Sequence, residues 1–181
     1  AYAASVSRGD PGGALRAYES FCVLCVLRRG KRGVAGLNEA ITRWLRPRLS
    51  GAPGYDSPWY HGRPVMVTEN DYALGVFNGD IGISLLGKDG RLEVWFSDRE
   101  GKIRSVPPPS LPAHQTAFAV TVHKAQGSEF ENMALVLPET DLPVLTRELI
   151  YTAVTRVKRR LAVYGSLEIL RAAVSRPTVR R

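Results

Sequence analysis

The sequence has 181 residues and a mass of 19.9 kDa, which suits one domain, or one domain that carries a small insert. Its hydrophobic content of 44% is ordinary for a globular protein, and no apolar run is long enough to cross a bilayer. The start lacks a basic region followed by an apolar segment, so we expect a cytoplasmic protein without a membrane partner. A net charge of +8 favours nucleic acid as the partner, with a merely basic surface as the alternative.

The first predicted elements lead to a buried strand. Residues 1–13 are small and polar and are expected to be loose, and residues 14–20 predict a short helix. Residues 21–27, FCVLCVL, predict a buried strand. Its two cysteines point to opposite faces of a strand and have no second pair, so we predict two core thiols, and no metal or redox site.

A basic loop follows this strand at residues 28–33, RRGKRG. A loop after a buried strand is where α/β sheets bind anions, although a solvated basic turn would have the same composition. Residues 36–49 then have apolar side chains at helical spacing and predict an amphipathic helix that ends near Pro47 and Gly51. In this helix we expect Asn38 and Arg46 to face outward and Trp44 to lie in the core. Residues 51–62 predict a connector.

The pattern changes at residues 63–112. Short apolar segments at 64–68, 80–86, 92–96 and 103–106 predict strands, and Asn78-Gly79 and Asp89-Gly90 predict type I′ hairpin turns. Evenly spaced short strands of this kind predict a small barrel. Tyr72, Phe77 and Asn78 are candidates for contact with a nucleic-acid strand, although a core Phe77 and a turn residue Asn78 are at least as probable.

Polar residues interrupt two apolar runs between residues 117 and 137. Gln126 to Glu129 predict a turn in which Gly127 allows close approach of a ligand to the backbone, and Glu129 offers a carboxylate. Thr121 and His123 offer polar contacts on the other side. An ordinary turn between two core elements remains the alternative.

The last part of the chain predicts a strand, a helix, a strand and a helix. The strands are expected at residues 133–137 and 161–164, the second of them buried, and the helix between them at 147–158, after a loop at 139–146. Ser166 is the predicted N-cap of the last helix, and residues 176–181 predict a disordered basic tail. This order predicts a parallel α/β layer formed by residues 1–62 and 113–181, with residues 63–112 as the inserted barrel.

Two stretches resemble motifs of superfamily I helicases. Residues 121–130, TVHKAQGSEF, resemble motif V in the form carried by the RecD branch, and residues 149–161, LIYTAVTRVKRRL, resemble motif VI. They follow in the order found in that family, and a weaker resemblance covers nearly the whole chain. The sequence is therefore identified as a member of the RecD-type helicases, the family of the alpha subunit of exodeoxyribonuclease V, in a part that carries motifs IV to VI.

The resemblance implies a second RecA-like motor domain of the P-loop NTPase type with an inserted SH3-like β-barrel. It implies that Arg156 is the motif VI arginine that faces the γ-phosphate of ATP, with Gly127 and Glu129 near the phosphates and the ribose. Arg28 or Arg29 resembles the motif IV arginine. It further implies that Thr121 and His123 contact single-stranded DNA, and it makes Tyr72 and Asn78 of the barrel candidates for the same strand.

The partners follow from the same resemblance. They are an N-terminal RecA-like domain of the full-length chain and RecB- and RecC-like subunits, in a complex for double-strand break repair and recombination. Mg²⁺ and ATP are expected mainly on the N-terminal domain, because this sequence has no Gly-x-x-x-x-Gly-Lys-Ser/Thr and no Asp-Glu pair closing a buried strand. We expect no ATPase from this segment alone and no nuclease. A single-strand-binding module and a subunit-docking domain remain alternatives.

Overall fold

A computed structural model describes residues 1–49, 57–98 and 100–177. The helices are α1 (Tyr2–Ser7), α2 (Pro11–Glu19), α3 (Val34–Leu45), α4 (Arg147–Val154) and α5 (Leu167–Ser175), with short 3₁₀ helices at Arg46–Arg48 and Pro108–Ser110. The strands are β1 (Phe21–Cys25), β2 (Arg63–Val67), β3 (Ile81–Leu86), β4 (Leu92–Ser97), β5 (Ile103–Val106), β6 (His114–Thr116), β7 (Ala119–Thr121), β8 (Phe130–Val136) and β9 (Val157–Tyr164). Most of the predicted connector and the end of the predicted tail lie outside the described residues.

The chain divides into two compact units. The first contains Ala1–Tyr18 and Ala40–Ala117, and the second contains Glu19–Glu39 and Phe118–Arg181. The predicted insert, residues 63–112, lies inside the first unit, which also takes in residues that the sequence assigned to the motor domain. These units are defined by compactness and not by domain function, so the predicted domain boundaries stay a prediction. No helix in the described parts of the chain is both long and apolar enough to cross a membrane.

The second unit is built on a four-stranded parallel sheet in the order β7-β1-β8-β9. Its inner strands place Leu24, Met133 and Leu135 in the core, where each is almost completely buried. Buried apolar side chains on both inner strands are typical of a parallel sheet, because both faces are covered. The predicted parallel α/β fold is confirmed for this unit.

The connection between α4 and β9 differs from the prediction. The helix ends at Val154 instead of residue 158, and β9 begins at Val157 instead of residue 161. Val157 fits the apolar stripe of a helix, but it pairs with Phe130 as the first residue of an edge strand. The prediction of a buried strand is also wrong, because most of β9 is exposed. Arg156 consequently lies in a two-residue turn and not on a helix.

The first unit contains a five-stranded antiparallel sheet in the order β5-β4-β3-β2-β6. Its core consists of buried side chains from the strands and from the segment before β3, namely Val65, Val67, Val76, Val94, Phe96 and Val106. The four predicted strands are present, within one residue at each end. β6 has only three residues and was not predicted.

The two hairpin turns do not have the predicted type I′ geometry. Gly79 and Gly90 have positive φ, but no other residue type in the described chain does, so Asn78 and Asp89 keep ordinary negative φ. In the β3–β4 turn the amide of Gly90 donates to the carbonyl of Gly87, and the amide of Gly87 donates to the carbonyl of Arg91. This pattern is typical of a type I turn followed by a glycine bulge, which also needs a glycine at its last position.

Several smaller predictions are wrong. Residues 2–7 and 11–13 are helical and not loose, while the helix predicted from residue 14 is present as the rest of α2. Trp44 is 61% exposed, with the Arg48 guanidinium 4.2 Å above its ring. Asn38 and Arg46 are buried. Arg176 is not part of a disordered tail: it forms an ion pair of 2.5 Å with Asp141, which lowers the pKa of that carboxyl.

Candidate functional site

Arg156 lies where β8 and β9 begin, at the amino-terminal edge of the parallel sheet. Its carbonyl oxygen accepts a hydrogen bond of 2.8 Å from the amide of Phe130, the first residue of β8. Its own amide donates to the carbonyl of Ala153 at 3.0 Å, which closes the last turn of α4. The turn that contains Gly127 and Glu129 therefore ends directly beside Arg156.

The side chain of Arg156 is half-buried and incompletely satisfied. One terminal nitrogen, Nη2, donates to Thr155 Oγ1 at 3.3 Å. The Nε atom is buried and has no hydrogen-bond partner among the described residues. A buried donor without an acceptor costs about 1–3 kcal/mol, so the surrounding residues do not fully stabilise this side chain. The exposed part of the guanidinium is what an anionic ligand from solvent would meet.

Gly127 and Glu129 form the other side of this position. Gly127 has a φ of +88°, and a side chain added there would meet no atom within 4 Å. Glycine adopts this φ without the strain that a side chain would cause, and the space where that side chain would lie is open. The carboxylate of Glu129 is held by Lys158 Nζ at 3.2 Å, across the start of β8 and β9. Lys158 was not among the predicted site residues.

Thr121 and His123 lie at the opposite, carboxyl-terminal edge of the sheet. Thr121 is the last residue of β7 and pairs with Cys25, the last residue of β1, while the amide of Val122 donates to the carbonyl of Cys25. The Thr121 side chain is buried and its hydroxyl accepts from the amide of Lys124 at 3.3 Å. Thr121 thus shapes this turn, and its contact with DNA remains a prediction.

His123 is exposed and opens onto a groove of about 550 Å³. Gln126 and the first two turns of α4 line the same groove, including Thr146 and Thr152. Thr146 caps α4 by accepting from the amide of Leu149 at 3.3 Å. The groove gives an extended ligand room beside His123, and sequence reasoning did not single out Gln126 as part of it.

Arg28 and Arg29 are exposed and lie beyond the end of β1, near Thr121 rather than near Arg156. Cys25 pairs with Val136 of β8, at the other end of that strand from Phe130. Six residue steps of about 3.3 Å place the two ends of β8 about 20 Å apart. The structure therefore does not bring Arg28 or Arg29 together with Arg156, as one shared triphosphate site would require.

Tyr72 and Asn78 belong to the other unit. Tyr72 is 79% exposed and its ring meets the edge of Phe77 with a centroid distance of 5.8 Å. The amide of Asn78 donates to Asn70 Oδ1 at 2.8 Å, which fixes the turn after Phe77. Since Phe77 is 44% exposed, it is not a core residue. An exposed pair of aromatic rings is able to stack on unpaired bases.

Asn38 is the positioning residue that the sequence did not reveal. Its Nδ2 donates to the carbonyl of Ala119, and its Oδ1 accepts from the amide of Ala119, each at 2.9 Å. β7 is an edge strand, so Asn38 satisfies two backbone groups that a further strand would otherwise pair. The contact fixes α3, and with it the basic loop, against β7.

The two cysteines are free and buried. Burial raises the pKa of the Cys22 thiol to about 12 and that of Cys25 to about 11. Thiols with such pKa values are almost wholly protonated at neutral pH, so they are poor nucleophiles and poor metal ligands. The prediction of two core thiols is confirmed.

The fold and one family model define the class of protein. Residues 116–164, which include Thr121, Gly127 and Arg156, match the UvrD-like helicase C-terminal domain. The fold is similar to that of the Pif1 helicase from Bacteroides, solved in complex with ADP-AlF3 and ssDNA. The TM-score is 0.51 at 15% identity, over 90% of this chain and 47% of that one. The parallel sheet therefore has a fold similar to that of helicase C-terminal domains.

Similar sequences identify the particular family. The chain is 42% identical to the RecBCD enzyme subunit RecD of Mycobacterium tuberculosis, over 92% of this chain and 28% of that protein. It is 41% identical to the RecBCD enzyme subunit RecD of Haemophilus influenzae, over 91% of this chain and 24% of that protein. It is 34% identical to the ATP-dependent RecD2 DNA helicase of Deinococcus radiodurans, over 85% of this chain and 21% of that protein. The chain matches a segment of RecD-type helicases, and it spans about a quarter of the length of these relatives.

Proposed function

We propose that this chain is the second motor lobe of an ATP-dependent DNA helicase and supplies an arginine finger to a triphosphate held mainly by another lobe. The observation that carries the proposal is the position of Arg156 beside the turn that ends at Glu129. The guanidinium is half-buried, has an unpaired Nε, and lies at an open edge of the sheet. An arginine that meets the transferring phosphoryl group from across a cleft needs these properties.

Bound ATP with Mg²⁺ would supply the phosphoryl group that is transferred to water. Arg156 would stabilise the charge that develops on its oxygens, and the open backbone at Gly127 would admit the phosphates. Glu129, held by Lys158, would accept from a ribose hydroxyl. We assign the magnesium ion and the phosphate loop to the N-terminal RecA-like domain of a longer polypeptide, because no phosphate-loop sequence occurs in this chain.

We propose that single-stranded DNA follows the opposite edge of the sheet, along Thr121 and His123. The exposure of His123 and the groove beside it support a contact with the sugar-phosphate backbone. In the other unit, we propose that residues 63–112 form an SH3-like barrel inserted between the two parts of the motor domain. Tyr72 and Asn78 would guide the strand there, with the exposed rings of Tyr72 and Phe77 stacking on bases.

One short segment connects the two sites. Residues 122–129 leave β7 at the DNA edge and enter β8 at the nucleotide edge. A shift of the turn at Gly127 when nucleotide binds would therefore pull on the backbone at His123. This is how we propose that a cycle of ATP binding and hydrolysis is coupled to the grip on DNA.

The wider role follows from the names of the relatives. RecD of Mycobacterium tuberculosis and of Haemophilus influenzae are named as subunits of a RecBCD enzyme. We propose that this chain likewise acts with RecB- and RecC-like subunits in an exodeoxyribonuclease V complex that repairs double-strand breaks by recombination. A motor that uses ATP on DNA would work in the cytoplasm.

The test is ATP hydrolysis by the native polypeptide that contains this chain, measured with and without single-stranded DNA. We expect hydrolysis that rises with DNA and unwinding of a duplex that carries a single-stranded end. DNA binding without any hydrolysis would contradict the motor and support a single-strand-binding module. The absence of both activities would favour a subunit-docking domain.

A further inference from the structure

The loop at residues 28–33 carries four cations on a rigid support. Gly33 and Gly36 pack so closely on this loop that a Cβ atom would lie 2.3 Å from the carbonyl oxygen of Arg29 and 2.5 Å from that of Gly30. The amides of Val34 and Ala35 donate to the carbonyls of Leu27 and Arg28 at 2.9 and 3.1 Å. The start of α3 therefore fixes the first residues of the loop. Because these two amides already have acceptors, the side chains of the loop are the groups left to bind a ligand.

Three of the four cations have no acidic partner in the part of the chain that the structure describes. Arg32 lies 3.7 Å from Glu139, but no carboxylate of the described residues lies within ion-pair distance of Arg28, Arg29 or Lys31. All three side chains are exposed, so a solvated polyanion is able to reach them. A fixed group of unpaired cations raises the local concentration of a phosphate-bearing partner.

The loop lies beside the residues proposed to contact DNA. Cys25 and Thr121 are paired at the ends of adjacent strands, and adjacent strands are about 4.8 Å apart. The chain continues from Cys25 to Arg28 and from Thr121 to His123, so both segments leave the sheet at the same place. Asn38 fixes their relative position through its two hydrogen bonds to Ala119. Arg156 is about 20 Å away along the strands.

We infer that Arg28, Arg29 and Lys31 bind neighbouring phosphates of the single-stranded DNA that passes His123, and do not bind the nucleotide. The inference rests on the proposed function in one respect, namely that single-stranded DNA is the polymer at this edge. It replaces the prediction that Arg28 or Arg29 faces the phosphates of ATP. The basic loop and His123 then form one continuous surface for the DNA backbone.

The experiment compares Arg28→Ala, Arg29→Ala and their double variant with Arg91→Ala, Arg171→Ala and the double variant of those two. The control arginines are exposed, and neither belongs to the basic loop. The probe is a fluorescent oligothymidine, titrated with the native polypeptide at several salt concentrations without nucleotide. The KM for ATP is measured separately at saturating DNA.

Each lost phosphate contact should reduce the slope of log affinity against log salt by about 0.7, which is about a 5-fold loss of affinity at 0.1 M salt. We expect about a 25-fold loss for the Arg28/Arg29 double variant, none of comparable size for the control pair, and an unchanged KM for ATP. An unchanged salt slope would overturn the inference, as would a raised KM for ATP with intact DNA binding. If the wild-type protein hydrolyses no ATP, the proposed motor fails, but the DNA titration still decides this inference.

Discussion

The carbonyl oxygen of Arg156 accepts a hydrogen bond of 2.8 Å from the amide of Phe130. This bond joins the turn before β9 to the first residue of β8, and the ion pair between Lys158 and Glu129 crosses the same two strands. The motifs at residues 121–130 and 149–161, which are separated in sequence, thus meet through backbone pairing. Their meeting point, and not either motif alone, marks the edge of the sheet where we propose that the nucleotide binds.

Substitution of Arg156 by alanine should lower kcat for DNA-stimulated ATP hydrolysis by about 10³-fold or more, with a much smaller change in KM. Lysine should not restore the rate, because it lacks the planar fork of donors. DNA affinity without nucleotide should stay unchanged, since Arg156 lies at the other edge. Arg159→Ala is the matched control, because Arg159 is an exposed arginine on β9 that pairs with Glu131. Wild-type kcat in Arg156→Ala would remove this residue from catalysis.

Gly127 and Gly30 form a matched pair, because each has a φ of +88° and open space where a side chain would lie. Alanine at either position should cost about 1–2 kcal/mol of stability, since an L-residue is strained at this φ. Gly127→Ala should also raise the KM for ATP, whereas Gly30→Ala should weaken DNA binding only. If both variants changed the KM for ATP and the DNA affinity to the same extent, the changes would reflect general destabilisation and not two separate binding sites.

Replacement of Asn38 by alanine should destabilise the sheet by about 1–3 kcal/mol, because the amide and carbonyl of Ala119 lose their partner. Asn38→Asp should also be destabilising, because a carboxylate is not able to donate to the Ala119 carbonyl. Urea unfolding measures both effects, with Glu39→Gln on the exposed side of the same helix as the control. A loss below about 0.5 kcal/mol for both Asn38 variants would show that its two hydrogen bonds to Ala119 are not needed for stability.

Stability should fall as the pH drops below about 6.5, because His61 is buried as the neutral form. Its Nδ1 accepts from the amide of Leu86 at 2.9 Å, so its Nε2 donates to the carbonyl of Val6 at 2.7 Å. Burial lowers the pKa of His61, so the unfolded chain binds a proton there that the folded chain does not.

The stabilisation is therefore present above pH 6.5 and is lost by up to about 1.4 kcal/mol per pH unit below it. Urea titrations between pH 5 and 8 measure this slope. The variant His114→Gln/His123→Gln keeps His61 as the single histidine of the chain and should retain the slope. A stability that does not change between pH 5.5 and 7.5 would contradict a neutral, buried His61.

Both thiols should resist modification in the folded protein. Cys22 and Cys25 are buried, and burial raises their pKa values to about 12 and about 11. With a thiol-reactive dye at pH 8, we expect no rapid reaction in buffer and reaction of both thiols in denaturant. Rapid labelling of either thiol in buffer would show that β1 opens readily.

The buried strands and the strands of the antiparallel sheet could be predicted from sequence, because apolar runs and alternating patterns follow from burial. β6 and β7 have three residues each, too few for a periodic signal. The end of α4 was predicted too late because Val157 satisfies a helical stripe as well as a strand pair. Here pairing with β8 decided between two local patterns that fitted equally well.

The candidate site could be predicted only in part. The motif resemblance selected Arg156, Gly127 and Glu129. The hydrogen bond from Phe130 to Arg156 and the ion pair between Lys158 and Glu129 join the segments that carry them, and their role in ATP binding stays a prediction. Arg28 and Arg29 were assigned to the same ligand through their resemblance to motif IV, whereas the pairing of Cys25 with Val136 places their loop at the other edge of the sheet. Asn38 was missed for a related reason, since its partner is the backbone of a distant residue.

The segment from Val122 to Glu129 is not fully extended, because the amides of Lys124 and Ala125 both donate to the carbonyl of Thr121 and coil its first part. Unwinding these turns would let Glu129 move relative to His123 while the backbone pairing of β7 and β8 with β1 stays intact.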